Sequence, residues 1–371
     1  MQDKLPLTAN ERTLFALRSL YGSYGYSLYK MSKFEEYDLY SENKDFLVSD
    51  GVITFTDTNG KLMALKPDVT LSLIKNTRRD GNPIQKLYYN ENVYRVSKST
   101  HGFREIMQAG LECTGDIDAL CVLEVITLAA ESLKLISENY VLSVSHLGVL
   151  SEVLESAGVP ASAKGEMLRL IGEKNQHGIA ALCLSHGVAA ENAAVLKKLA
   201  AFHGTPSEAA AFLNGLPEGL CGEKTLTDFS AAVSGLDRCG EKINIDFSVV
   251  DDINYYNGII FKGFIEGVPN SVLSGGRYDS LMRRMHRNEG AIGFAVYLDE
   301  LEFINRSADE YDVDVLLLYS AEDDPVEIQN AACSLRSSGS VLTARRIPED
   351  LRYKKLVKYE NGEVKTGEND A

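Results

Sequence analysis

The chain has 371 residues, and its 53 acidic side chains outnumber 38 lysines and arginines to give a net charge of −15, which speaks against an extended nucleic-acid surface. Hydrophobic residues at 44% and charged residues at 25% are the composition of a globular protein with room for a real core, and the length suggests two domains. No run reaches the ~18 apolar residues of a membrane span, and the N-terminal MQDKLPLTANER has no apolar leader region, so a cytoplasmic protein without membrane contact is expected.

Thr8, Asn10 and Glu11 precede Leu14, Leu17, Leu20 and Tyr21, which predicts a capped amphipathic helix within residues 8–29. Val52–Asp57 and Leu62–Leu65 read as a hairpin turning at Asn59-Gly60, after which Pro67 ends the strand and Val69–Thr77 reads as a helix. The most informative stretch follows, from Lys86 to Asp116. Leu87-Tyr88-Tyr89 leads into Val93-Tyr94-Arg95, and Glu105–Thr114 alternates with both faces in use, so two long strands flank a polar loop at Val96–Gly102. Arg95 and Arg104 border that loop. Such a unit can hold a phosphate with its arginines, hold a small ligand with its polar residues, or be an ordinary solvated hairpin. Gln108 and Glu112 share a strand face with Ile106 and Gly110. A carboxylate and an amide among apolar neighbours usually have a partner.

Asp118–Ser137 reads as a strongly apolar helix and Tyr140–Ser145 as a buried strand. From about Leu147 to Gly222, alanine-rich helical windows are punctuated by Gly158-Val159-Pro160, Gly187, Gly204-Thr205-Pro206 and Pro217, the pattern of a helical insertion. Its His177, His186 and His203 read as surface or packing residues, and no metal site is expected. Strands resume at Ile243–Val250, Gly258–Phe264 and Val272–Leu273, with a helix from Ser280. After Ser307 a small α/β unit, residues 308–371, begins with a strand at Val313–Tyr319. A helix at Pro325–Ser337, a strand at Val341–Ile347 and a hairpin at Asn361-Gly362 follow. The six cysteines, Cys113, Cys121, Cys183, Cys221, Cys239 and Cys333, have no metal-ligand spacing and read as buried thiols.

Several of these segments resemble the histidyl-tRNA synthetase version of the class II synthetase fold. Tyr94-Arg95, the polar loop, Phe103-Arg104-Glu105 and Gln108-Ala109-Gly110-Leu111-Glu112 are similar to its motif 2. Leu65-Lys66-Pro67-Asp68-Val69-Thr70 is similar to its Leu-Arg-Pro-Glu-Gly-Thr segment, and Asn254-Tyr255-Tyr256-Asn257-Gly258 to its histidine-specific Asp-Tyr-Tyr-Thr-Gly segment. Gly275-Gly276-Arg277-Tyr278-Asp279 and Gly293-Phe294-Ala295 resemble the motif 3 region. Matches in this order are far more specific than any one alone. The resemblance implies an α+β fold over residues 1–307, an antiparallel sheet flanked by helices and interrupted by the insertion at about 147–222. It also implies a motif 1 strand within Tyr26–Tyr40 that builds a dimer interface, although Met31-Ser32-Lys33-Phe34-Glu35 matches that motif poorly.

By the same resemblance, Asp68, Thr70, Gln108 and Glu112 hold the α-amino group of histidine, and Tyr255, Tyr256 and Tyr278 surround its ring. Arg95 is a carboxylate or phosphate contact. An ammonium wants carboxylate acceptors, so the residue types agree with that role. The nucleotide half departs from the family. Asp251 stands where the family has a catalytic arginine, Asp252 where it has glycine, and Glu300 where it has the motif 3 arginine, while the loop after Arg95 keeps little beyond Lys98. Exchanging a cation for an anion ~4 Å from a phosphate turns about 4 kcal/mol of attraction into comparable repulsion at an effective dielectric near 20. No catalytic residue, cofactor or adenylation activity is therefore expected.

A synthetase core that keeps histidine recognition and loses activation is similar to the regulatory subunits of ATP phosphoribosyltransferase. That family implies a short-form catalytic partner subunit, L-histidine as ligand, a homodimer within a hetero-oligomer, no tRNA, and feedback control of the first step of histidine biosynthesis. A divergent histidyl-tRNA synthetase and a stand-alone paralogue with another ligand are the competing readings.

Overall fold

The computed structural model describes residues 7–44, 47, 51–77, 83–96, 102–233, 235–238, 242–250, 256–301, 311–360 and 362–366. Contacts divide the chain into two compact units, Met1–Phe303 and Ile304–Ala371. The expected boundary at Ser307 lies outside the described residues.

Helix α1 (Ala9–Ser23) opens with the anticipated capping box. Thr8 accepts from the Glu11 amide, and the Glu11 carboxylate accepts from the Thr8 amide. The stretch expected to form a motif 1 strand is broken into β1 (Ser27–Leu28), β2 (Phe34–Glu36) and α2 (Tyr37–Ser41). Strands β3 (Thr54–Thr56) and β4 (Leu62–Leu65) form the hairpin read at Asn59-Gly60, whose Gly60 takes φ +82°, and β2 completes a three-stranded sheet. Helix α3 (Val69–Asn76) starts directly after Pro67. The long hairpin is β5 (Ile84–Val96) and β6 (Phe103–Gly115), each 13 residues.

Helix α4 (Ala119–Ile136) is capped by Asp118, which accepts from the Cys121 amide at 2.9 Å. Strand β7 (Tyr140–His146) precedes the helical run α5 (Leu147–Ser156), α6 (Lys164–Gly172), α7 (Gln176–Ser185), α8 (Ala190–Ala201), α9 (Pro206–Asn214) and α10 (Glu223–Val233). The run therefore continues past Gly222, where an end was expected. Gly222 does not stop a helix. It precedes α10, and its amide donates to Glu152. Within the run, β8 (His203–Gly204) returns to pair with β9 (Ile243–Asp246). The unit closes with β10 (Ile259–Ile265), β11 (Leu273–Arg277), α11 (Asp279–Arg284) and β12 (Gly290–Tyr297).

Nine of these strands make one sheet in the order β1-β5-β6-β12-β11-β10-β7-β9-β8. Its centre is antiparallel, as expected, but β1 with β5 and β7 with β9 are parallel. One sheet face is covered by α1 and α4. Tyr21 of α1 meets the Tyr88 and Phe294 rings with centroids 6.1 and 5.9 Å away, and its hydroxyl lies 3.1 Å from the Ser132 hydroxyl of α4. On the opposite face, Val69 and Leu73 of α3 cluster with Leu87, Tyr89 and Val93 of β5. Glu35 of β2 fixes α3 laterally, accepting from Ser72 and Asn76 at 2.7 Å and from Lys75 at 3.0 Å.

The second unit has a four-stranded sheet, β14 (Val341–Ala344), β13 (Val313–Leu318), β15 (Tyr353–Glu360) and β16 (Glu363–Thr366), with helix α12 (Pro325–Arg336). Strand β13 is parallel to both β14 and β15, whereas β15 and β16 form the terminal hairpin. Cys113, Cys121 and Cys183 are buried, but Cys221 is half-buried and Cys333 of α12 is exposed, so burial does not hold for every thiol. Among the described residues no helix is long and apolar enough to cross a membrane.

Lys66, fully buried between α3 and the hairpin, makes a 2.8 Å ion pair with Glu91 of β5, whose other oxygen accepts from the Met31 amide. Removing the cation alone strands a carboxylate. Lys66→Met is therefore expected to cost about 3–5 kcal/mol in urea unfolding, and a second change, Glu91→Gln, should recover much of it. Equal losses in the single and double variants would show that the pair is not coupled.

Candidate functional site

The register of the main sheet decides which side chains meet. Glu112 of β6 lies opposite Leu87 of β5 and Gly293 of β12, and Gly293 in turn lies opposite Gly276 of β11. Glu112 thus projects from the α3 side of the sheet, in line with Gln108 and Gly110. The glycines are required there. A Cβ on Gly293 would sit 1.8 Å from Glu112 Oε2 and 2.4 Å from the Leu111 carbonyl, and one on Gly276 would sit 2.7 Å from the Tyr256 ring. A Cβ on Gly110 would meet the Tyr89 hydroxyl at 2.5 Å.

Glu112 is 2% exposed. Thr70, in the first turn of α3, donates to its Oε1 at 2.7 Å, and the Tyr278 hydroxyl, from the residue that precedes α11, donates to its Oε2. Burial pushes this carboxyl up to about 8. The Thr70 and Tyr278 hydroxyls oppose that rise and the Asp68 charge adds to it. Asp68 is buried as well, and its carboxyl is raised by burial. One of its oxygens caps α3, accepting from the Leu71 amide at 2.9 Å. Gln108 is 3% exposed, and its amide makes no hydrogen bond among the described residues. Arg95 directs its Nε to the Pro67 carbonyl at 3.0 Å.

These residues line one narrow cleft with a cavity volume of about 50 Å³. Asp68, Thr70, Arg95, Gln108, Glu112, Tyr256 and Tyr278 all contribute to it. Tyr255, Asp251, Asp252 and Lys98 lie outside the described residues. Glu300 does not line the cleft. It sits on the turn Leu298–Leu301, where the Asn270 amide donates to it at 3.0 Å. Sequence reasoning missed three lining residues, Tyr89, Ser274 and Tyr297. For Tyr89 a signal existed, because it shares a face with Glu91 and Val93 and is paired with Gly110. A ring opposite a glycine can lie across the neighbouring strand. Among the described residues, no cluster of histidine, cysteine or carboxylate side chains could hold a metal ion.

The arrangement offers an ammonium two carboxyls, a buried amide and a hydroxyl, with four tyrosines in the walls. The unit that holds it has a class II synthetase-like fold, and comparison with known proteins narrows the class. The family model for histidyl-tRNA synthetase matches residues 1–301. An ATP phosphoribosyltransferase regulatory subunit from Caldanaerobacter subterraneus is 30% identical over 298 residues, 76% of this chain and 75% of that protein. The solved structure of an "ATP phosphoribosyltransferase regulatory subunit/histidyl-tRNA synthetase" from Bacillus halodurans superposes with a TM-score of 0.72 at 23% identity, covering 96% of each chain. A chain of the "ATP phosphoribosyl transferase (HisG:HisZ) complex" from Thermotoga maritima gives 0.62 at 20% identity, covering 78% of this chain and 97% of that one. The chain belongs to the histidyl-tRNA synthetase-like family of ATP phosphoribosyltransferase regulatory subunits.

The raised Glu112 carboxyl has a consequence for stability. Its folded form keeps a proton that the unfolded chain releases above pH 4.5, so stability falls as pH rises toward about 8 and levels off beyond it. Without ligand, the protein should lose on the order of a few kcal/mol more than Glu112→Gln between pH 5 and pH 8.5. Urea titrations of both proteins at the two pH values measure this. Identical pH dependence would mean that Glu112 is already ionised in the folded protein.

Proposed function

We propose that the chain is the non-catalytic regulatory subunit of ATP phosphoribosyltransferase, and that it holds L-histidine in this cleft. On this reading it acts as a homodimer within a hetero-oligomer, activating a short-form catalytic subunit and conferring feedback inhibition on the first step of histidine biosynthesis. The observation that carries the reading is that buried Glu112 and Gln108 share one cleft walled by Tyr256 and Tyr278. An incoming ammonium would meet Glu112, Asp68 and the Gln108 carbonyl, and the tyrosines would enclose an imidazole. The relatives' names, and the Thermotoga maritima complex, support the partnership with a catalytic subunit.

A carboxyl that is neutral near pH 7 must ionise to receive an ammonium, so histidine binding should release up to one proton from Glu112 at neutral pH. Affinity should then rise from pH 6.5 to pH 8. Calorimetry in buffers of different ionisation enthalpy reads this release after correction for the titration of histidine itself. Glu112→Gln should abolish the release and weaken histidine binding on the order of tenfold to a hundredfold, the worth of a buried charged hydrogen bond. In the reconstituted complex, the histidine concentration for half-inhibition should shift by the same factor. An unmoved inhibition curve would place the histidine sensor elsewhere.

Loss of adenylation follows from charge. The positions matching the two phosphate-facing arginines of the synthetases hold Asp251, whose charge would repel a triphosphate, and Glu300, which supplies no cation. Histidine-dependent exchange of pyrophosphate into ATP should therefore stay at the buffer background. Turnover above it would favour a divergent synthetase.

A further inference from the structure

A second cleft lies on the opposite face of the same sheet, under α10 and beside the first turn of α4, with a cavity volume of about 400 Å³. His146 pairs with Ile259 and Arg277 with Ile292, the register positions that face away from Glu112. His146, Arg277, Asn257, Asp279, Asp118 and Asp228 all line it.

The strongest feature is His146, 9% exposed. Its Nδ1 accepts from the Val149 amide at 3.1 Å and so caps α5. Gly148 makes room for that contact, since a Cβ there would meet the ring at 2.9 Å. Burial pushes this imidazole down to about 4, helped by the Arg277 charge and opposed by Asp228, so it is neutral at physiological pH. A neutral ring that accepts at Nδ1 carries its proton on Nε2. That donor has no hydrogen-bond partner among the described residues. It belongs to a residue that lines the cleft, where an acceptor on a ligand could meet it.

Two more donors converge there. Arg277 commits its Nε to Asp279 at 2.9 Å, which leaves the guanidinium ends available. Asn257 uses its carbonyl to accept from the Ser280 amide at 3.3 Å, which leaves its NH₂ group available. His146 is buried, Asn257, Arg277 and Asp279 are half-buried, and the exposed carboxylates Asp118 and Asp228 complete the lining. With Asp279 balancing Arg277, the donors suit a monoanion with two acceptor oxygens, and the exposed carboxylates disfavour a phosphate dianion while favouring a cation.

We propose that this second cleft binds a small zwitterion of the amino-acid type, its carboxylate held by His146, Arg277 and Asn257 and its ammonium facing Asp228 and Asp118. The site is separate from the proposed histidine cleft and stands whether or not that reading does. The two lie back to back, however. Tyr256 and Tyr278 face the first cleft, and their chain neighbours Asn257 and Arg277 face the second.

The test uses the full chain labelled with ¹⁵N-histidine. Among its six histidines, His146 is recognised as the ring that stays neutral with a protonated Nε2 below pH 5.5. At pH 7 the protein is titrated with each proteinogenic L-amino acid except histidine, and in parallel with acetate, ethylamine and inorganic phosphate. The expected result is a saturable shift of the His146 Nε2 signal with at least one amino acid, at least tenfold tighter than with acetate. Asp228→Asn, an exposed change with little bearing on folding, should weaken the amino acid about tenfold and leave acetate unchanged. The proposal is overturned if phosphate binds more tightly than every amino acid, if no probe moves the signal, or if Asp228→Asn weakens the amino acid and acetate alike.

Discussion

A carboxyl buried in the middle of a sheet is costly unless its oxygens are met, and Glu112 is the constraint around which the first unit is arranged. Its two oxygens are satisfied from two different elements, Thr70 at the start of α3 and Tyr278 just before α11. Gly293 on the neighbouring strand provides the volume the side chain occupies. The position of α3 is fixed in turn by the Glu35 network and by the Asp68 cap, so the helix cannot shift without losing several buried hydrogen bonds together. A site held this way is pre-organised. Its polar groups are oriented before any ligand arrives, so less ordering remains to be done on binding.

Much of this was legible in the chain, and the reasons differ by element. The long hairpin was readable because its alternation is local, and two polar residues on an otherwise apolar face mark that face as unusual. Helices α1, α3 and α4 were readable because Thr8, Pro67 and Asp118 are local start signals. Strand β12 was recognised only as a motif. Gly290–Tyr297 is buried or half-buried on both faces, so its sequence shows no period of two. Tyr89, Ser274 and Tyr297 escaped because their convergence depends on pairing between strands distant in sequence, which no window of residues reports. The motif 1 region failed for the opposite reason. A strand was expected there from resemblance alone, and Met31-Ser32-Lys33 lacks the alternation that would have supported it.

Within this family the fold is shared by proteins that activate histidine and proteins that do not, so architecture cannot decide between chemistry and regulation. The decision rests on a few charges. Amino-acid recognition asks for acceptors around an ammonium, and the cleft has them. Phosphoryl chemistry asks for cations at fixed points around a triphosphate, and Glu300, hydrogen-bonded to Asn270 away from the cleft, offers none. Acceptors in the cleft and an acidic residue at position 300 are what the proposed sensor role asks for.

The proposed sensor must also transmit, and the sheet itself offers a route. Along β11 and the segment leading into β10, successive residues present to opposite faces, which is the ordinary consequence of a two-residue period. Tyr256 packs on Gly276 on one side while Asn257 donates its amide to the Arg277 carbonyl along the same strand pair. A ligand that displaced Tyr256 or Tyr278 would pull directly on Asn257 and Arg277, their chain neighbours in the opposite cleft. Linkage then requires the effect to run both ways: whatever free energy one cleft gains from occupancy of the other, the second gains from the first. One sheet with two unlike faces can couple an amino-acid cleft to a separate polar cleft with no hinge or domain rotation.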